Sequence, residues 1–191
     1  MNTLVGTVVR LEPLATHHSD ELFAVLGNDD EAWRWFTIAA PRTPEDMVAI
    51  VDRFLNDFKL GTREPYAVVH MDSKRVIGTT SFLDISRQDR TVEIGSTIYA
   101  REFWRTAVNT EAKLLLLTEA FEVLHCARVA LKTDGENKRS QAAIARIGAK
   151  YEGTLRSHKI RPDGTSRDSM YYSILSSEWP EAKAKLEGAL A

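Results

Sequence analysis

Three places in the second half of the chain combine residue types and spacings that could do chemistry. The first is Thr91–Tyr99, which alternates as a half-buried strand does. Val92, Ile94 and Ile98 share one face, and Glu93, Gly95, Thr97 and Tyr99 share the other. Glu93, beside the small Gly95, fits the floor of a cleft, where partial desolvation raises a carboxyl pKa and suits it to general-base work. The plainer reading is a solvated strand face. The second place is Asn137-Lys138-Arg139-Ser140. Asn137, Ser140, Ile144 and Ile147 recur at i, i+3, i+7 and i+10, on one helical face. The isoleucines must face a core, so Asn137 and Ser140 point inward and need polar partners. Capping accounts for Asn137 and accounts less well for Ser140. The third place is the turn Phe103–Thr110, which opens a long helix. Free N–H groups and the positive dipole end could hold a pyrophosphate there, with Arg105 and Thr106 adding a charge and a hydroxyl. Every helix start has such donors, and without a glycine the turn matches no P-loop or dinucleotide fingerprint.

The elements that must position these residues follow from periodicity. Residues 5–11 are apolar and β-branched and read as a strand that Pro13 breaks. His17–Leu26 carries Leu22, Val25 and Leu26 at helical spacing. In Glu45–Lys59 the residues Met47, Ile50, Val51, Phe54, Leu55 and Phe58 form a helical stripe, with Thr43 as N-cap and Pro44 at the first position. Tyr66–Met71, Arg75–Leu83 and Thr91–Tyr99 form a strand meander. Val108–Val123 reads as a helix with a wide apolar face, whose Glu111, Thr118 and Glu122 make a narrow stripe toward water. Then come a strand at Ala127–Thr133, a helix at Asn137–Ile147 ended by Gly148, and strands at Ala149–Leu155 and Ser169–Leu175. The last two flank the polar turn Pro162-Asp163-Gly164. This order predicts an α/β (α+β) fold with a mixed sheet and helices on both faces, not a doubly wound parallel sheet.

A chain of 191 residues suits one domain, 1–191, and 43% hydrophobic with 27% charged residues suits a soluble globular one. The net charge of -2, with no run of Lys and Arg, argues against a nucleic-acid partner. The N-terminus lacks a signal-peptide pattern, and the longest apolar run, Leu114–Leu117, is far too short for a membrane span, so the expectation is a cytoplasmic protein with no membrane partner. Cys126, the sole cysteine, reads as a small buried filler. The five histidines show no ligand spacing, so no metal site is expected. Trp33-Arg34-Trp35-Phe36, between the first two helices, reads as packing or as the wall of a substrate pocket.

At these segments the sequence resembles the GNAT acetyltransferases, and within them the branch typified by the ribosomal-protein N-terminal acetyltransferases. The resemblance rests on Leu11-Glu12-Pro13-Leu14, Val92-Glu93-Ile94-Gly95, Asn109-Thr110-Glu111-Ala112, Asn137-Lys138-Arg139-Ser140, Arg146-Ile147-Gly148-Ala149 and Glu152-Gly153-Thr154-Leu155-Arg156, in order from about Leu11 to Trp179. It implies a mixed, mostly antiparallel sheet of six to seven strands whose central strand splays from the next to admit acetyl-CoA. It implies that the backbone amides of Arg105, Thr106, Ala107, Val108, Asn109 and Thr110 hold the pyrophosphate and that Asn137 holds the cofactor. By the same resemblance, Ser140 protonates the leaving thiolate, Glu93 takes a proton from the amine, and a backbone N–H near Ile98 polarises the thioester carbonyl. Trp33, Trp35 and Tyr99 would border the acceptor. Attack is direct, with no covalent enzyme intermediate, on a protein N-terminus or a small-molecule amine. Family members are often dimers, so a homodimer is implied.

The sequence departs from the family at one motif. The cofactor loop usually reads Arg or Gln, two residues, Gly, one residue, then Gly or Ala, and those positions here are Trp104, Ala107 and Asn109. Backbone amides survive the change, although glycine lets a phosphate approach more closely. The altered loop keeps open an alternative, a non-catalytic acyl-CoA-binding module. The hairpin holds Arg156, His158, Lys159, Arg161 and Arg167 against Asp163 and Asp168, and this basic excess hints at an acidic acceptor or partner; a solvated hairpin is the bland reading.

Overall fold

The computed structural model describes residues 1–191. Its strands are β1 (Leu4–Val5), β2 (Val9–Pro13), β3 (Arg63–His70), β4 (Val76–Ser86), β5 (Thr91–Tyr99), β6 (Arg128–Asp134), β7 (Lys150–Ile160) and β8 (Ser166–Leu175). Its helices are α1 (Ser19–Leu26), α2 (Asp30–Trp33), α3 (Pro44–Lys59), α4 (Ala107–Thr118), α5 (Lys138–Arg146) and α6 (Trp179–Gly188). The strands form one sheet in the order β1-β2-β3-β4-β5-β6-β8-β7. Every neighbouring pair is antiparallel except β5–β6.

Alternation in β3 shows how both faces are covered. Tyr66 and Val68 enter the larger core with residues of α4, α5 and α6. Ala67 and Val69 enter a smaller core with residues of α1, α2 and α3. The stripe read in α3 supplies Met47, Val51 and Phe54 to that smaller core, and Thr43 with Asp46 closes a capping box at its start.

Four features differ from the periodic reading. The first predicted strand divides into β1 and β2, which pair with each other and raise the sheet to eight strands. The predicted helix over Val108–Val123 ends as α4 at Thr118 and continues as a π turn, Glu119–Val123. The third feature, α6, is an element that periodicity left unread. Trp179 at its start stacks on Phe121 at 5.3 Å and donates its indole N–H to Glu122.

The fourth difference concerns Glu111, which does not face water. It is 5% exposed. Its carboxylate accepts hydrogen bonds from the amides of Thr7, Val8 and Val9 and from the Thr7 hydroxyl, at 2.6–2.9 Å. The β1–β2 connection is thereby tied to the start of α4, and the polar stripe shrinks to Thr118 and Glu122.

β5 carries a bulge. Ser81 pairs with Gly95 and Thr79 with Ile98, so Ser96 and Thr97 together stand opposite Thr80. Ser96 takes φ 48°, a left-handed conformation that lets the strand absorb the extra residue. One added residue reverses the facing of everything after it. Val92 and Ile94 lie in the larger core, and past the bulge Tyr99 joins them while Ile98 turns to the smaller one. The expected common face of Glu93 and Tyr99 is therefore wrong. Just past the bulge Gly78 pairs with Tyr99, and a Cβ there would collide with the Ile98 carbonyl oxygen, so glycine permits the strands to close again.

On its other side β5 pairs with β6 only through Thr91–Arg128, Val92–Val129 and Glu93–Ala130. Beyond Glu93 the two parallel strands part, β5 following β4 and β6 following β8.

Replacing Glu111 by Ala leaves several donors unpaired, including the buried amide of Val9. Unfolding in urea should show a loss of about 3 kcal/mol, with the slope unchanged and Glu111→Gln losing less.

Candidate active site

The parted strands open a cleft of about 760 Å³. Its walls include Ile94–Tyr99 of β5, Leu131–Thr133 of β6, and residues at the starts of α4 and α5. Where β5 and β6 separate, Glu93 sits in the cleft wall at 3% exposure. Its Oε2 pairs with Lys132 Nζ at 2.8 Å, while its Oε1 is buried without a partner. A Cβ at Gly95 would stand 2.8 Å from that oxygen, too close to pack, so the glycine leaves room beside it. Burial pushes the Glu93 carboxyl above the usual carboxylate range, even though Lys132 and Arg167 pull the other way. Burial is the largest single effect on Lys132 and lowers its pKa, but the Glu93 charge and hydrogen bond, with Tyr171 and Asp84, together outweigh it and raise the pKa. Glu93 is thus a carboxyl with a raised pKa, one oxygen on Lys132 and the other without a partner.

A second titratable group, Lys113 of α4, is 6% exposed, and its only hydrogen-bond partner is Thr97 Oγ1 at 2.8 Å. Thr97 in turn meets Thr80 Oγ1 at 2.8 Å. No carboxylate compensates the ammonium, so burial lowers the Lys113 pKa to about 7. This chain of contacts crosses from α4 through β5 to β4 at the bulge.

The mouth of the cleft lies between the starts of α4 and α5. Thr106 caps α4, accepting from the Val108 amide at 3.4 Å. Arg105 takes φ 64°. Arg105, Thr106 and Asn109 line the cleft, whereas Val108 and Thr110 are buried beneath it, so Ala107, Val108 and Thr110 could contribute only through backbone. Trp104, in place of the family's Arg or Gln, packs against both cores and donates its indole N–H to the Tyr99 carbonyl at 2.9 Å. The Arg139 guanidinium lies 3.5 Å from the centre of its ring, linking the two lips.

Asn137 and Ser140 line the same mouth. Asn137 Oδ1 caps α5 by accepting from the Ser140 amide at 3.0 Å. Capping thus accounts for one end of the Asn137 amide and for the Ser140 backbone, and the Ser140 hydroxyl borders the cleft.

The aromatic segment divides. Trp35 and Phe36 line the cleft. Trp33 does not: it is 5% exposed in the smaller core, with its indole N–H on the Leu26 carbonyl at 2.9 Å, so its expected place at the acceptor is wrong.

Asp134 was missed by the sequence reading. It is 1% exposed at the end of β6 and takes Arg161 in a two-pronged pair at 2.9 Å on both oxygens. Arg167 stands 3.8 Å from the same carboxylate. The hairpin's basic excess is therefore spent in part on clamping β7 and β8 to β6. Lys132 and Lys113 were missed too. Lys132, two residues beyond Ala130, which pairs with Glu93, was readable only once the strands were paired.

Comparison with known proteins agrees with this geometry. A model of the acetyltransferase (GNAT) domain matches residues 9–150. The chain belongs to the GNAT acetyltransferase family. A Bacillus subtilis (strain 168) protein named "Putative ribosomal N-acetyltransferase YdaF" is 37% identical over 183 residues, covering 93% of this chain and 94% of that protein. A solved GCN5-related N-acetyltransferase from Brucella melitensis superposes with TM-score 0.93 at 31% identity, covering 100% of this chain and 86% of that one. Mycobacterium smegmatis RimJ, solved with CoA-disulfide, shares the fold with TM-score 0.84 at 19% identity, over 98% of this chain and 94% of that one. The chain is thus an acyltransferase of the GNAT family, and its relatives support the RimJ/RimL-like branch that its motifs resemble. No helix is long and apolar enough to cross a membrane.

A lysine whose pKa falls from 10.5 to about 7 on folding leaves the unfolded chain holding more protons between those values. Stability should therefore rise as pH increases from about 7 to 10 through this group. Thermal unfolding across that range should show the rise in the native protein and a flatter profile in Lys113→Met.

Proposed function

We propose that the protein transfers an acetyl group from acetyl-CoA to a primary amine, with Glu93 as the general base. The observation that carries this reading is the Glu93 carboxylate, buried in the cleft wall with one oxygen bare of partners.

The residues of the cleft fit acetyl-CoA. The facing edges of β5 and β6 beyond Glu93 offer backbone groups that no strand partner uses. The capped start of α4 offers amides and a dipole end for phosphate, and Arg105, Arg139 and Arg146 place cations in the same lining. Arg105 through Thr110 and Asn137 would hold the cofactor, and the amide near Ile98 would polarise the carbonyl. Acetyl-CoA supplies an activated thioester.

An ammonium cannot attack, so Glu93 Oε1 first removes its proton, directly or through water. The acceptor's C–N bond then forms as the C–S bond breaks; the Ser140 hydroxyl gives a proton to the departing sulfur and regains one, through water, from the nitrogen, which sheds its second proton as the amide forms. Trp35 and Tyr99 border the acceptor amine. The name of YdaF supports a protein N-terminus as one form of that amine, and a small-molecule amine fits the same chemistry. We place the reaction in the cytoplasm, within one domain spanning 1–191, in a protein that assembles as a homodimer.

Glu93→Gln keeps the shape and removes the base. It should lower kcat by about 10²- to 10⁴-fold while leaving acetyl-CoA affinity, read by calorimetry, within a few-fold of the native protein. Unchanged turnover would reject Glu93 as the base. No saturable acetyl-CoA binding by the native protein would reject the whole reading.

A further inference from the structure

We propose that the amine acceptor carries an anionic group, carboxylate or phosphate, which Arg167 and Lys159 bind beside Glu93. The inference rests on the acetyltransferase reading and names the class of its second substrate.

The cleft lining contains one carboxylate, Glu93, and many cations. Three of these, Arg105, Arg139 and Arg146, belong to the starts of α4 and α5 or to α5 itself, where cofactor phosphates fit. Lys132 is committed to Glu93 and Lys113 to the Thr97 hydroxyl, each at 2.8 Å. Arg167 and Lys159, from the β7–β8 hairpin, remain.

Arg167 is the telling residue. Its side chain is 12% exposed, so the guanidinium has lost most of its water. Its neighbouring acid, Asp134, is already taken on both oxygens by Arg161 and also accepts from the Glu136 amide. Arg167 Nε lies 3.8 Å from Asp134, beyond hydrogen-bond reach, and has no partner. Nη1 donates to the Trp35 carbonyl at 3.1 Å, which fixes the guanidinium against the aromatic wall. Asp134 offsets the Arg167 charge only through space, and Nη2 has no hydrogen-bond partner within the protein, so an anion entering the cleft would complete a guanidinium that is otherwise costly to bury. Lys159 is exposed at the same lining and makes no salt bridge within the protein. Burial is the first cause that lowers the pKa of neighbouring His158, and Lys159, Lys132 and Arg167 add to it, which marks the positive field there.

Glu93 and Arg167 both line this cleft, and each lies within the other's electrostatic field. An acceptor held there would present its amine to Glu93 and its anionic group to Arg167. A polyamine or a lysine-rich N-terminus would instead set cation against cation.

The test compares matched probes that differ only in the anion, with CoA or acetyl-CoA present. They are the peptides Asp-Ala-amide and Asn-Ala-amide, alanine and alanine amide, and phosphoethanolamine and ethanolamine. Calorimetry reads binding on the CoA-loaded protein, and thiol release reads turnover. At least one anionic member should exceed its neutral partner about 10- to 100-fold in affinity and in kcat/KM. The pair that does so identifies peptide, amino acid or phosphate as the source. Arg167→Met and Lys159→Gln should each shrink that ratio, and the exposed Lys159 keeps this arm usable should Arg167→Met fail to fold. Equal or better binding of the neutral members, or binding of none, overturns the proposal. Anion-selective binding without any thiol release would sustain it and reject the acetyltransfer reading instead.

Discussion

The separation of β5 from β6 is the constraint on which the site depends. Parallel neighbours in a sheet normally satisfy each other's backbone, and these two do so for three registers only. Past Glu93 the sheet contains two edges facing each other inside the protein, a place where backbone donors and acceptors are available to a ligand. The arrangement holds because β5 is secured from elsewhere. Its ladder with β4 continues through the bulge at Ser96, the Lys113–Thr97–Thr80 contacts brace it, and Trp104 fastens the Tyr99 carbonyl at its end.

The bulge also assigns side chains to their tasks. Before it, Glu93 faces away from the larger core, toward Lys132 and the hairpin. After it, Thr97 reaches Lys113 on α4 and Tyr99 enters the larger core. A regular strand would have kept Glu93, Thr97 and Tyr99 on one face and brought Ile98 to the opposite one. A single extra residue therefore makes the cleft two-sided, with the starts of α4 and α5 at its mouth and the carboxylate at the point of separation.

Charge is distributed with the same economy. Two buried acids anchor structure: Glu111 ties the first hairpin to α4, and Asp134 clamps the last hairpin through Arg161. The third, Glu93, is the one acid in the cleft, with one oxygen on Lys132 and one free. Acids with full sets of donors hold the fold, and the acid left incomplete is the one positioned to take a proton.

The sequence by itself determined the periodic elements and the family. The apolar stripe of α3, the meander and the ordered motifs from Leu11 to Trp179 are local patterns, and the matching GNAT domain spans residues 9–150. Glu93, Asn137 and Ser140 were legible because alternation and helical spacing placed them where polar groups need a reason. Tertiary structure alone decided the rest. Whether Glu111 met water depended on a loop a hundred residues earlier in the chain. The facing of Tyr99 depended on a bulge that no composition signal marked. The same holds for the burial of Trp33, the pairing of Lys132 with Glu93, and the half-partnered Arg167. Periodicity reports which face a residue takes within its own element; partners across the sheet, and any extra residue that reverses a face, are set by contacts between segments far apart in sequence.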